Sequence, residues 1–156
     1  MERINMIVKI DKRFNDPKFL MSWAKFLKVS KIIVGSDKIS HLEENIIKSA
    51  LDIDIKIVKI KDLKEFFLNE DRENALLLVE RVKDLYPLKD LDLDVSMIDL
   101  GQIDFKKGCK PFTEDCYLGD EDMKFFRQMT SEGKDIFIQD NPYSTKKNIS
   151  MFFSKI

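Results

Sequence analysis

The segment Met6-Ile7-Val8-Lys9-Ile10-Asp11-Lys12-Arg13-Phe14-Asn15-Asp16-Pro17-Lys18-Phe19-Leu20 reads as a strand handing over to a helix across a short polar loop. Ile4, Met6, Val8 and Ile10 alternate and Ile7 fills the opposite face, the pattern of a strand buried on both sides. Asp11-Lys12-Arg13 ends the run. Asp16 stands where a helix N-cap belongs, and Pro17 at the first helical position, where its missing N–H costs nothing. Phe19, Leu20, Trp23, Phe26 and Leu27 then recur at helical spacing.

The same alternation continues outward. Ile32-Ile33-Val34 is a short β-branched run ending at Gly35-Ser36-Asp37, followed by a helix with Ile39, Leu42, Ile46, Ile47, Ala50 and Leu51 along one face. Ile53 to Ile60 predicts a third strand, and Leu63, Phe66 and Phe67 a short helix. Ala75 to Val79 is continuously apolar, and a helical stretch around Val82 and Leu85 stops before Pro87. Val95 to Leu100 predicts a fifth strand, and Lys106 to Leu118 a loop with a short strand. A helix runs from Asp120 to Thr130 with Gly133 at its C′ position, and Ile136-Phe137-Ile138 is a last strand. The tail, residues 144–156, is expected to pack as a final helix. Strands and helices alternating over short loops require crossovers. The expected fold is therefore α/β, a single three-layer domain over 1–156 with a mostly parallel central sheet and helices on both faces.

Composition narrows the chemistry by exclusion. Of 156 residues 44% are apolar, enough for a real core, while 27 basic against 28 acidic residues leave a net charge of −1. So flat a balance gives no basic field for nucleic acid. No apolar run approaches the ~18 residues of a membrane span, and Met1 to Lys9 lacks a signal-peptide pattern. A cytoplasmic domain without direct membrane insertion is expected. Two cysteines are too few for a disulfide framework, and one histidine rules out a His-rich metal site within the chain. A zinc site would need His41, Cys109, Cys116 and a carboxylate to converge with no supporting spacing. No phosphate-binding glycine loop or nucleophile elbow is present. In parallel sheets ligands bind beyond the carboxyl ends of strands; here those ends are Asp11 to Pro17, Gly35 to His41 and Asp99 to Ile103.

The residues at those ends carry a family resemblance. Lys9-Ile10-Asp11-Lys12-Arg13-Phe14-Asn15-Asp16-Pro17-Lys18, then Trp23, resembles the opening Arg-Ile-Asp-Asp-Arg-Leu-Ile-His-Gly-Gln and following tryptophan of the IIB components of the mannose/fructose/sorbose phosphotransferase sugar-uptake systems. Ile32-Ile33-Val34-Gly35-Ser36-Asp37 resembles their second strand, and Ile98-Asp99-Leu100-Gly101-Gln102-Ile103 their late Ile-Asn-Val-Gly-x-Met strand. Asp120-Glu121-Asp122 and Gln139-Asp140-Asn141-Pro142 are similar to the family's acidic helix start and Gln-x-x-Pro. The resemblance covers about Met6 to Lys147. It implies a protein that takes a phosphoryl group from a IIA partner onto a loop histidine and passes it to a sugar carried by membrane IIC and IID components, with no cofactor and no resident metal. It also implies a loop pocket here of Asp11, Arg13, Lys18, Asp37 and Gly101.

The resemblance breaks at the histidine. Asp16 stands at its position, and Pro17 and Lys18 replace the glycine and glutamine that follow. Asp16 reads either as a plain N-cap with the transfer site lost or as a carboxylate that forms an acyl phosphate, which elsewhere uses a divalent cation; Asp11 is near enough in sequence to share one. Arg13 is the candidate phosphate ligand through its planar, bidentate guanidinium, or else it forms a salt bridge to Asp11 or Asp37. Lys18 adds charge at the helix start. His41, in the first turn of the second helix, is either a substitute nucleophile or an ordinary helix-start residue. Cys109 and Cys116 read as reduced thiols, and Trp23 as core. The function that follows is a IIB-type subunit with a degenerate transfer loop; the alternative is a non-catalytic regulatory or binding module on the same fold. The Phe-rich tail is a candidate surface for a homo-oligomer.

Overall fold

Alternating side chains in the apolar runs sort onto the two faces of one sheet. The computed structural model describes residues 6–69, 74–91 and 95–154; Ile4, Lys155 and Ile156, read above as parts of the first strand and of the tail, lie outside them. In chain order the elements are β1 (Met6–Ile10), α1 (Pro17–Leu27), β2 (Lys31–Gly35), α2 (His41–Ala50), β3 (Asp54–Val58), α3 (Leu63–Asn69), β4 (Ala75–Val79), β5 (Val95–Leu100), β6 (Lys110–Thr113), β7 (Cys116–Leu118), α4 (Asp120–Ser131), β8 (Ile136–Ile138), β9 (Lys147–Asn148) and α5 (Ser150–Ser154). Short 3₁₀ helices cover Ile60–Asp62 and Val82–Leu88. The seven-stranded sheet has the order β3-β2-β4-β1-β5-β8-β9, parallel except for β9, and β6 and β7 form a separate antiparallel hairpin. This is the expected α/β architecture with a mostly parallel sheet.

The period of two decides which side of the sheet each residue serves. Met6, Val8 and Ile10 of β1 and Ala75, Leu77 and Val79 of β4 join Phe67, Phe126 and Phe153, from α3, α4 and α5, in one core. Leu76 and Leu78 of β4 point the other way and pack with Leu20 and Trp23 of α1 and Ile47 of α2. Helices therefore cover both faces. On the α1 side, β1 presents Ile7 and Lys9, so a lysine stands where an aliphatic side chain would.

Four local expectations change. Leu42 and Ile46 are exposed (70% and 52%), while Ile47 is buried, so α2 packs through a narrower stripe than its periodicity indicates. The 3₁₀ helix runs through Pro87 because its neighbouring turns close from Asp84 N–H to Arg81 O and from Lys89 N–H to Tyr86 O, and need no proline donor. The segment 106–118, expected as a loop with one short strand, carries two paired strands, β6 and β7. The tail first adds β9 to the sheet edge and only then turns into a single short helix, burying Ile149 and Phe153 but exposing Met151 and Phe152.

α1 ends on Lys28 in the left-handed conformation (φ 57°), its N–H bonded to Ala24 O. A side chain there costs roughly 1 kcal/mol that glycine avoids. Lys28→Gly is expected to raise stability by about 0.5–1 kcal/mol, part of the gain being offset by greater unfolded-state freedom, as read from urea denaturation midpoints.

Candidate functional site

The carboxyl ends of β1, β5 and β8 lie side by side, and one buried carboxylate ties them together. Asp11, fully buried, accepts N–H bonds from Arg13 N (2.8 Å, Oδ1) and Gln102 N (3.1 Å, Oδ2). It also takes a two-pronged pair from the Arg13 guanidinium, Nε to Oδ1 at 2.9 Å and Nη2 to Oδ2 at 2.8 Å. Arg13 Nη2 reaches on to Asp140 O at 2.8 Å and Asp140 Oδ1 at 3.0 Å, and the guanidinium lies over the Phe19 ring at 4.6 Å. Gln102 Nε2 donates to the same Asp140 oxygen at 2.8 Å. Hydrogen bonding to Asp11 raises the Arg13 pKa further. Partial burial disfavours charge on Asp140, but the bonds from Gln102 and the charge of Arg13 outweigh it and hold that carboxyl below its ordinary range.

Gly101 makes this arrangement fit. A Cβ built there would overlap the Asp11 carboxylate and sit 3.2 Å from Lys9 Nζ. The requirement is for room, at a position where the β5 backbone passes the β1 carboxylate.

Beneath the Asp11 cluster, on the α1 side of the sheet, lies a second polar layer. Lys9 and Asp99 are register partners on β1 and β5. Lys9 Nζ bonds Asp99 Oδ2 at 3.2 Å and Gln139 O at 2.8 Å, and sits 4.2 Å from the Trp23 ring centroid. Desolvation lowers the Lys9 pKa, against the opposing pull of Asp99. Desolvation likewise pushes Asp99 up to about 6, and its Oδ1 has no hydrogen-bond partner among the described residues.

Asp16 caps α1: its backbone is extended and its Oδ1 accepts the Lys18 N–H at 3.0 Å. Lys18 is exposed, in the first turn. Asp37 does not join Arg13. β4 separates β2 from β1 in the sheet, so the end of β2 lies beyond Glu80 and Arg81, and Asp37 instead accepts the Ile60 N–H at 3.0 Å. His41, at the start of α2, is offset from the Asp16 loop by the same intervening strand. A cation shared by Asp11 and Asp16 would have to displace the donors that occupy both Asp11 oxygens. Cys116 is buried in β7, and burial pushes its thiol up to about 12; Cys109 is half-buried and unbridged. Trp23 is a core residue, 1% exposed, that also faces Lys9. The sequence reading did not single out Lys9, Asp99, Gln102 or Asp140 as site residues, although all four stand inside the motifs it quoted.

A family profile described as the PTS system sorbose subfamily IIB component matches residues 5–156. Similar solved structures include the IIB domain of the sorbose permease from Klebsiella pneumoniae (16% identity, TM-score 0.79, covering 97% of this chain and 98% of that one). Another is the N-acetylgalactosamine-specific IIB component 1 from Escherichia coli (20%, TM-score 0.78, 93% and 99%). A third is an N-acetyl-galactosamine IIB component from Streptococcus pyogenes (18%, TM-score 0.78, 97% and 98%). A search of curated protein sequences gives no match.

Gly101→Ala is expected to cost about 1–3 kcal/mol in urea denaturation, as overpacking does where neighbours cannot retreat. Asp99 supplies a pH test. Its pKa is raised in the folded state, so its contribution to stability is fully present below the ordinary value of 3.8 and is lost as pH rises through about 6. NMR titration of the Asp99 side-chain carboxyl carbon should give a midpoint near 6, well above the ordinary aspartate value of 3.8.

Proposed function

The chain belongs to the sorbose-subfamily IIB components of the phosphotransferase system, and from that premise we propose that residues 1–156 act as one IIB-type subunit that docks to IIA and membrane IIC and IID components without carrying phosphate on its transfer loop. Its place is then the cytoplasmic side, where those partners present their soluble faces. The observation that carries this reading is the commitment of Asp16 to the α1 N-terminus. A phosphoryl relay needs a nucleophile with a free lone pair near neutral pH and a product that remains a good donor, and imidazole, with a pKa of ~6.5, meets both needs. A carboxylate meets an incoming phosphoryl group as a like charge, a repulsion of ~1–4 kcal/mol at ~4 Å.

The surroundings point the same way. Free N–H groups at a helix start would favour an anion, but Pro17 has none and the Lys18 N–H is taken by Asp16. Arg13 is shared between Asp11 and Asp140, so a phosphate would compete with two carboxylates for one guanidinium. Asp11, Arg13 and Gly101 thus keep the shape of a transfer pocket whose nucleophile has become a structural cap.

The test is phosphorylation from labelled phosphoenolpyruvate through the upstream carriers and IIA, for the parent chain and an Asp16→His, Pro17→Gly, Lys18→Gln variant. The parent should stay unlabelled. The variant should label slowly at the new histidine, with label stable to base and labile to acid. Its lost cap costs ~1 kcal/mol, which a domain stable by ~5–15 kcal/mol tolerates. Label on the parent, at Asp16 or at His41, overturns the silent-loop reading. A folded variant left unlabelled while an authentic IIB protein labels in the same tube overturns the docking reading.

A further inference from the structure

A second opening, of about 490 Å³, lies between the carboxyl ends of β2 and β4 and the segment that follows β5. Lys38, Arg81, Lys83 and Lys106 border it. The acids on the same walls are already engaged: Glu80 Oε1 with Lys38 Nζ at 2.8 Å, Asp84 Oδ2 with the Arg81 N–H at 3.1 Å, and Asp37 Oδ1 with the Ile60 N–H at 3.0 Å. Arg81 Nη1 donates to Asp104 O at 3.2 Å.

Lys83 and Lys106 both border the cleft. Neither has an ion pair with a carboxylate among the described residues. Contact with Lys83, reinforced by the charge of Arg81, lowers the pKa of Lys106. Two like charges at the mouth of one cleft repel, and a doubly charged anion between them reverses the sign of that interaction. A phosphomonoester carries close to two negative charges at pH 7. The opening is within the ~300–1,000 Å³ of small-molecule sites, roomier than a bare phosphate needs, and the remaining oxygens of Asp37 and Glu80 are acceptors suited to hydroxyl groups.

We infer that this cleft binds a small polyhydroxylated phosphomonoester, with the phosphate between Lys83 and Lys106 and the hydroxyls toward Asp37 and Glu80. The inference goes beyond the proposed function and does not rest on it, because neither Asp16 nor Arg13 lines the cleft. The two regions adjoin through Asp104, whose carbonyl takes Arg81 and whose carboxylate takes Lys12 at 3.2 Å.

Isothermal titration calorimetry on the full chain in low-salt buffer at pH 7, with glucose 6-phosphate as probe, tests it. Glucose 6-phosphate should bind, inorganic phosphate should bind more weakly, and glucose should give no heat. The Lys83→Gln, Lys106→Gln double variant should weaken binding by about tenfold or more, the scale of losing charged hydrogen bonds, with an unchanged melting temperature. A charge-matched Lys25→Gln, Lys124→Gln variant should bind like the parent. Absence of heat at millimolar glucose 6-phosphate, or equal loss in both double variants, overturns the site. Inorganic phosphate binding as tightly as the ester overturns the polyhydroxylated class.

Discussion

The carboxylate of Asp11 is out of contact with water, and an ionised carboxylate in that position is tolerated only if every oxygen is answered. Four N–H donors answer it, from two residues on two segments. Much of the local architecture is forced by that need. The chain after β1 must curl back so that the Arg13 backbone and guanidinium both reach Asp11. The β5 backbone must come close enough for Gln102 to donate, which leaves no room for a side chain at Gly101. The guanidinium, once fixed, brings in Asp140 from beyond β8. Three strand ends are thereby registered against one another by side chains as well as by the main-chain bonds that run on past them, such as Lys12 N–H to Gln102 O at 2.7 Å.

The layer below follows a different energetic logic. Lys9 and Asp99 are paired, yet burial moves both pKa values toward their neutral forms, so desolvation exceeds the mutual attraction. Two apolar residues in those places would escape that desolvation cost. What the pair supplies is direction. Lys9 spans from Asp99 to the Gln139 carbonyl and under the Trp23 ring, linking β1, β5, the end of β8 and α1 directly beneath the Asp11 cluster. A purely aliphatic layer would leave the Gln139 carbonyl without that donor and the loop above it less constrained.

How far the sequence could be read depends on the range over which each constraint acts. β1, the cap at Asp16 and the turn into α1 were legible because strand alternation, an N-cap and a first-turn proline all act within a few residues. Arg13 was read as a phosphate ligand or else a salt-bridge partner of Asp11 or Asp37, and the structure pairs it with Asp11, two residues away. Asp37 was misplaced because sequence order does not reveal that β4 inserts between β1 and β2. Asp140 and Gln102 were visible inside motifs, but their roles arise only when β5 and β8 are adjacent. Leu42 and Ile46 show the converse error: helical periodicity identified a face, while burial was decided by how much sheet lay beneath it.

Position 16 is decoupled from the walls of the pocket beside it. None of the bonds that shape the strand ends runs through that side chain: Asp11 is answered by Arg13 and Gln102, and Asp140 by Arg13 and Gln102. The side chain at 16 faces only the start of α1, and there an aspartate beside a proline is a better cap than most residues. Local selection for helix stability and selection for a nucleophile therefore pull in different directions at this one site. Asp16-Pro17 stabilises the start of α1 without drawing on the residues that wall the pocket.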